Sequence, residues 1–413
     1  MSLQELVLRY GSAWAAPSRR GSTSRRRPLR IGFDVSQTGP MKAGCGNYAY
    51  GMITSMLESA PQHRFSLFPS FGDFYFDVNV PRENPFPGRN VEYGPGHSTL
   101  EEARAFWTSP GLEKRLGGLD VVHSNNYWCP PAFASTRLVY TLYDLSFVAN
   151  PSWTTEINRA ACWEGVSRAA SNADWIVAIS NASRNHFLEL FPQFPPRRIR
   201  VIYPCSRFSG GTIPGRQPAA LAGVSPGGFW LSVGTIEPRK NQRRIAEAYA
   251  QYLSAGGEPM PLVFVGRYGW MMEDFHRELA ALDISAKVLF TGYVDDAELA
   301  WLYRNCRANI YTSHFEGFGL PVLEGMEFGA PTIASDCTAL REIAGDAAIL
   351  VKPGDTEELA RAMLHVARSA DERARLARRA AAQAALFDPK QSAASLLTVY
   401  GEAVDLGSRH ASA

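Results

Sequence analysis

Short apolar runs recur along the chain, each followed by a stretch with helical spacing. In the first half the runs cover residues 29–35, 65–69, 91–93, 121–124, 138–143, 175–179 and 199–203. They are continuous rather than alternating, as expected of parallel strands covered on both faces. Helical spacing is found between them at 44–57 and 156–171. The alternation predicts a doubly wound α/β layer. From 209 to 228 the chain reads SGGTIPGRQPAALAGVSPGG, a Gly-, Pro- and Ser-rich linker. A second series follows. Its predicted strands are 229–233, 262–265, 288–291, 308–311, 332–334 and 348–351. Its predicted helices are 240–253, 271–282, 295–305, 321–328, 338–344, 356–369 and 371–385, and an amphipathic helix over 389–404 follows a Phe-Asp-Pro break. Two domains are therefore expected, at 29–208 and 229–388.

Composition adds limits. At 413 residues, 46% hydrophobic and 20% charged, the chain has the profile of a soluble globular protein. No apolar run approaches the roughly 20 residues of a membrane-spanning helix. The net charge of +2 conceals an uneven distribution. Residues 1–30 hold seven arginines and one glutamate, whereas the remainder holds 35 basic and 39 acidic residues. The body is mildly acidic and gives no sign of a nucleic-acid partner. The arm at 1–28 lacks the order of charged and apolar parts found in a secretory signal. It reads either as a disordered extension or as an electrostatic contact with anionic lipid, which is worth about 1 kcal/mol per arginine. None of the six cysteines forms a C-x-x-C pair, so a reduced, cytoplasmic protein without a zinc site is expected.

The most informative stretch, 312–329, reads TSHFEGFGLPVLEGMEFG. It follows an apolar strand run. Gly317 and Gly319 flank Phe318, Pro321 suits the first position of a helix, and Gly329 suits its stop. Unpaired N–H groups and the dipole make such a helix start an anion site. Glu316 and Glu324 bracket it, placed to take sugar hydroxyls. The E-x7-E spacing around GFGLPVLE resembles the signature of family 4 glycosyltransferases, which are retaining enzymes. The resemblance covers nearly all of 29–405 and is most specific over 231–353. It implies an α/β GT-B fold: two doubly wound parallel-sheet (Rossmann-like) domains facing a cleft. It also implies that the last segment, 389–413, carries a helix crossing back to the first domain.

The resemblance assigns roles. Glu316 meets the donor sugar, and Glu324 accepts from the ribose hydroxyls. The backbone of Phe318, Gly319 and Leu320 holds sugar or phosphate. In LSVGTIEPRKN, at 231–241, Gly234 makes a turn after a strand. Arg239 and Lys240 then stand at that strand's carboxyl end, where doubly wound sheets bind ligands. The family uses this pair on the donor diphosphate. Two fixed cations there stabilise the negative charge that builds on the leaving group. The chain has no D-x-D triplet, and no metal is expected. Gly44 and Gly46, in GCGNYA, match the family's glycine loop across the cleft. Relatives often carry His-Asp where this chain has Tyr143-Asp144, so both residues are candidates and the histidine's role is in doubt. Ser180 suits an N-cap. His123 and His314 lie near strand ends and read as structural. Glu327 reads as a helix-surface acid.

The expected activity is retaining, metal-independent hexosyl transfer to a lipid-linked saccharide in bacterial polysaccharide synthesis. The VGTIEPRKN and HFEGFGLPVLE strings resemble a mannosyltransferase-rich branch, which makes GDP-mannose the first choice of donor. UDP-glucose or another nucleotide sugar is an alternative. A nucleotide-sugar epimerase and a non-catalytic GT-B partner subunit are rivals. The enzyme would work in the cytoplasm, and contact through residues 1–28 would place it on the inner face of the membrane.

Overall fold

The fold is given by a computed structural model that describes residues 27–39, 42–72, 86–211 and 213–406. Residues 1–26, most of the basic arm, lie outside the described residues. All thirteen predicted runs are strands, with ends within two residues of the expected ones. The first seven are β1 (Arg30–Asp34), β2 (Arg64–Phe68), β3 (Val91–Tyr93), β4 (Val121–Ser124), β5 (Arg137–Leu142), β6 (Trp175–Ala178) and β7 (Ile199–Val201). They form one parallel sheet in the order β3-β2-β1-β4-β5-β6-β7. The other six are β8 (Trp230–Val233), β9 (Leu262–Val265), β10 (Val288–Gly292), β11 (Ala308–Tyr311), β12 (Thr332–Ser335) and β13 (Ala348–Val351). They form a second parallel sheet in the order β10-β9-β8-β11-β12-β13.

The strands are apolar on both faces because helices cover both. Ile31, Phe33, Val121, Val122, Val139 and Ile176 are all fully buried. In the second sheet Trp230 and Ile310 pack on one face, and Leu231 and Val263 on the other. In each sheet the chain order reverses once, between β1 and β4 and between β8 and β11. Such reversals leave a crevice at the carboxyl ends of the strands, and ligands bind there. The loops after β8 and β11 hold Arg239, Lys240 and Glu316, so strand order alone places these three side chains at one crevice.

The Pro389–Val404 helix packs on the Gly44–Ser59 helix of the first half. Its Tyr400 hydroxyl lies 2.5 Å from Nδ1 of His123, whose Nε2 lies 2.8 Å from the Thr141 hydroxyl. His123 is fully buried, and burial pushes its pKa down to about 3. It is a satisfied core histidine.

Several elements differ from the sequence reading. Helices at Leu100–Trp107 and Asn181–Leu190 were not expected from apolar spacing. The first buries only Ala103 and Trp107, too few to make a stripe. Ser180 does cap the second, accepting from the Ser183 N–H. The helix expected from 240 starts at Gln242 instead, because Asn241 is left-handed at φ 62°. The helix expected from 271 starts at Phe275, since Met271 also has positive φ, at 57°.

Candidate functional site

The site is built on two turns. After β8, Gly234 takes φ 147°, a conformation that favours glycine. A Cβ there would lie 3.8 Å from the Lys240 side chain, so the backbone passes close beneath it. A single 3-10 turn, Pro238–Lys240, then ends at left-handed Asn241. The Asn241 amide donates to Thr312 O (3.0 Å) and Pro353 O (2.8 Å), and the His314 N–H donates to Arg239 O (2.9 Å). These bonds clip the cation turn to the loop after β11.

Glu316 receives both cations. Lys240 Nζ lies 2.7 Å from Oε1, and Arg239 approaches Oε2 at 3.0 Å. The Tyr311 hydroxyl accepts from Lys240 (2.6 Å) and donates to Glu316 (3.0 Å). Arg239 also donates to Glu237 Oε1 (2.7 Å) and Phe315 O (3.0 Å). Glu237 and Glu316 are both buried. Burial alone would raise the Glu316 pKa, but Arg239 and then Lys240 outweigh it and hold the carboxyl at about 2. Arg239 is correspondingly raised, against the effect of burial, by Glu316 and Glu237. The four charged groups sum to zero, so the cluster has cations to offer an incoming anion only if it displaces a carboxylate.

Next to this cluster the chain enters the Leu320–Glu327 helix through Gly319, at φ 114°. The backbone N–H groups of Gly317, Phe318, Gly319 and Leu320 have no acceptor among the described residues. Buried N–H groups are seldom left unpaired. Four such donors beside two cations form a cradle for anionic or hydroxylated ligand atoms.

The first half supplies the facing wall. A Cβ at Gly317 would lie 2.5 Å from Tyr143 O and 2.8 Å from the Asp144 Cβ, so the two loops touch. Asp144 accepts from the Ser146 N–H (3.0 Å) and hydroxyl (2.7 Å) and contributes to the field on Arg239. Tyr143 is buried and turns its hydroxyl inward to Asn125 O (2.7 Å). Its carbonyl, not its ring, faces Gly317. Gly44 opens the Gly44–Ser59 helix, and a Cβ there would lie 3.9 Å from Leu320 across the crevice. A Cβ at Gly46 would lie 2.1 Å from Gln37 O, a position closed to any side chain.

Glu324 belongs to a separate group. It is buried, takes a hydrogen bond from Arg207 Nε (2.9 Å) and another from the Tyr303 hydroxyl (3.1 Å). Burial raises its pKa despite Arg207. Glu327 is not the surface acid expected. It is half-buried, accepts from the Ser209 hydroxyl (2.5 Å), and burial raises its pKa. Sequence reasoning did not single out Tyr311, Glu237 as a partner of Arg239, or Arg207. Tyr311 had a signal, as the last residue of the strand leading to Glu316. Arg207 had none.

Two family profiles match the chain. The one described as Glycosyl transferases group 1 matches residues 224–383, and the one described as Glycosyltransferase Family 4 matches residues 62–205. The D-inositol 3-phosphate glycosyltransferase of Nocardia farcinica is 30% identical over 70% of this chain and 67% of its own length. The chain belongs to glycosyltransferase family 4. Escherichia coli O-antigen chain mannosyltransferase B is 29% identical over 58% of this chain. The chain spans 63% of that relative's length. Among solved structures, Anabaena Alr3699/HepE in complex with UDP-glucose superposes with a TM-score of 0.64 at 19% identity, covering 91% of this chain and 100% of that one. That likeness concerns the GT-B fold.

Proposed function

We propose that this family 4 chain is a retaining, metal-independent glycosyltransferase. It moves a hexose, mannose from GDP-mannose in the first instance, onto a lipid-linked oligosaccharide in bacterial polysaccharide synthesis. The observation that carries the reading is the Arg239–Lys240 pair at the sheet's switch point, joined to Glu316 and flanked by four unpaired N–H groups. The donor diphosphate takes the cations. As the glycosidic C–O bond breaks, charge builds on the diphosphate oxygen, and Arg239 and Lys240 stabilise it in place of a metal. Glu316, released from them, accepts from the donor sugar's hydroxyls. The leaving oxygen takes the acceptor's proton, and the acceptor oxygen enters from the same face. Glu324 is bound to Arg207 and Tyr303, which supports a path without a carboxylate nucleophile. Mannose as the sugar is supported by the O-antigen mannosyltransferase relative. A uridine donor is the second reading, favoured by the fold's likeness to a protein solved with UDP-glucose. Among the described residues no helix is long and apolar enough to cross a membrane. In this reading the enzyme sits on the inner membrane face through its basic arm.

The test is transfer from GDP-mannose and from UDP-glucose to lipid-linked oligosaccharide, with and without EDTA, reading the new linkage by NMR. An α product from an α donor, undiminished by EDTA, is expected. A β product or loss with EDTA overturns the mechanism. Release of free UDP without an acceptor marks the epimerase rival.

A further inference from the structure

Aromatic side chains gather on one rim of the crevice. The loop after β9 lies on the turn that leads to the cations. Tyr268 pairs with Ile236 in a parallel bridge, and the Gly269 N–H donates to Ile236 O (3.0 Å). A Cβ at Gly269 would lie 2.8 Å from Thr235 and 3.0 Å from Ile236 O, so the loop has no freedom to lift without losing this fit. From it Tyr268, Trp270 and Met271 project, 45%, 36% and 43% exposed. Met271 holds a left-handed backbone at φ 57°, which side-chain-bearing residues rarely adopt.

The first half reaches over to meet this loop. Trp270 Nε1 donates to Trp153 O at 2.9 Å. The Trp153 ring stacks on His314 at 5.7 Å and 8°, and contacts Phe315 at 6.2 Å. His314 and Phe315 lie immediately before Glu316. Aromatic side chains therefore reach from exposed Trp270, tied to the backbone of Trp153, to the partly buried Trp153 and His314 rings, across the junction of the halves and up to the charged cluster.

Exposing indole surface forgoes the burial that its area would otherwise gain, and contiguous exposed apolar patches mark binding sites. The ligand must offer flat apolar faces and polar edges. A pyranose ring does: its C–H face lies on an indole while its hydroxyls point sideways to polar groups. The exposed large apolar side chains of the loop after β9 are Tyr268, Trp270 and Met271 rather than Leu, Ile or Phe, Ile157 is 85% exposed four residues beyond Trp153, and Arg267 stands over Tyr293 beside Tyr268. Because its rings come from both halves, a bound saccharide would also hold the halves together.

We infer that Trp270, Trp153 and His314 form a saccharide subsite that holds a hexose ring of the acceptor chain, away from the hydroxyl that reacts. This rests on the reading of the chain as an oligosaccharide glycosyltransferase. The test titrates wild type, Trp270→Ala and Trp270→Phe with α-linked manno-, gluco- and galacto-tetraoses, in the presence of GDP and of UDP. At least one tetraose should bind the wild type. Its affinity should fall about tenfold in Trp270→Ala and recover largely in Trp270→Phe. Nucleoside diphosphate affinity should be the same in all three proteins, which also reports that the variants are folded. Equal tetraose affinity in Trp270→Ala overturns the subsite. So does a wild type that binds nucleotide but none of the tetraoses. Trp270-dependent binding to phosphatidylglycerol vesicles, with tetraose affinity unchanged, makes the ledge a lipid contact and overturns it as well. Absence of nucleotide binding strikes the donor-site reading instead, and Trp270-sensitive tetraose binding then still supports the subsite.

Discussion

Replacing Glu316 with Gln should have opposite effects on stability and on nucleotide affinity. The carboxylate neutralises Arg239 and Lys240 inside a buried cluster. Its pKa is held at about 2, against an ordinary 4.5. At 1.36 kcal/mol per pH unit that difference corresponds to about 3 kcal/mol of stability. The folded pKa is depressed, so this contribution is present above pH 4.5 and disappears as pH falls through about 2. Breaking a buried ion pair by removing one partner costs about 3–5 kcal/mol, which agrees. Glu316→Gln should therefore lower the unfolding free energy by about 3 kcal/mol at pH 7, measured by urea titration. The difference from wild type should shrink as the pH drops below 4. A diphosphate approaching the cations must also compete with the carboxylate, and a charge pair 4 Å apart is worth about 4 kcal/mol near a protein surface. Without that competitor, nucleoside diphosphate should bind at least about tenfold more tightly by calorimetry, although transfer is lost. Unchanged stability would refute the ion-pair account. Weaker diphosphate binding would refute the claim that Glu316 occupies the diphosphate's cations.

Three other outcomes follow from single contacts. Gly46→Ala puts a Cβ 2.1 Å from Gln37 O, so the glycine loop must shift; it should destabilise by about 2 kcal/mol or more and weaken donor binding, read by thermal melting with and without nucleotide. Glu342 of the second half accepts from the Asn181 amide (2.7 Å), the Asn181 and Ala182 N–H groups and the Tyr203 hydroxyl (2.6 Å) of the first. Glu342→Ala should cost about 2 kcal/mol and raise the radius of gyration in X-ray scattering, whereas an unchanged scattering profile would mean that other contacts hold the halves. Burial lifts the Asp34 pKa to about 7 from 3.8, only partly offset by the Ser36 and Asn125 groups that donate to it. Stability from this group is full below pH 3.8 and is lost as pH rises through about 7, about 3 kcal/mol between pH 5 and 8, and Asp34→Asn should flatten that part of the urea-midpoint profile.

The strands were legible because parallel strands buried on both faces leave unbroken apolar runs, and such runs survive any error in register. The Asn181–Leu190 helix was harder to read: it buries Ser183 and Phe187 and opens with polar residues, so only its Ser180 cap was visible. The Leu100–Trp107 helix is anchored by two buried residues, too few for periodicity to register. Within the site, Arg239, Lys240 and Glu316 could be found because each lies within two residues of a glycine or proline after a strand end. Their mutual pairing could not be read, since it depends on β8 and β11 being adjacent, and that is set by sheet order across 76 residues of sequence. The partner of Glu324 is more remote still: Arg207 is 117 positions away, at the end of the first half. Glu327 shows the limit of helix-surface reasoning. The linker residue Ser209 covers it, and a linker's path is not encoded in hydrophobic spacing.

Arg239 and Lys240 are proposed to hold a donor diphosphate without a metal. Calorimetric titration of GDP and UDP into wild type and Lys240→Met, each with and without EDTA, tests it most directly. At least one nucleotide should bind the wild type with the same affinity in EDTA, and Lys240→Met should bind it about tenfold or more weakly, the loss of a charged hydrogen bond. Equal affinity in the two proteins, or binding abolished by EDTA, would contradict it.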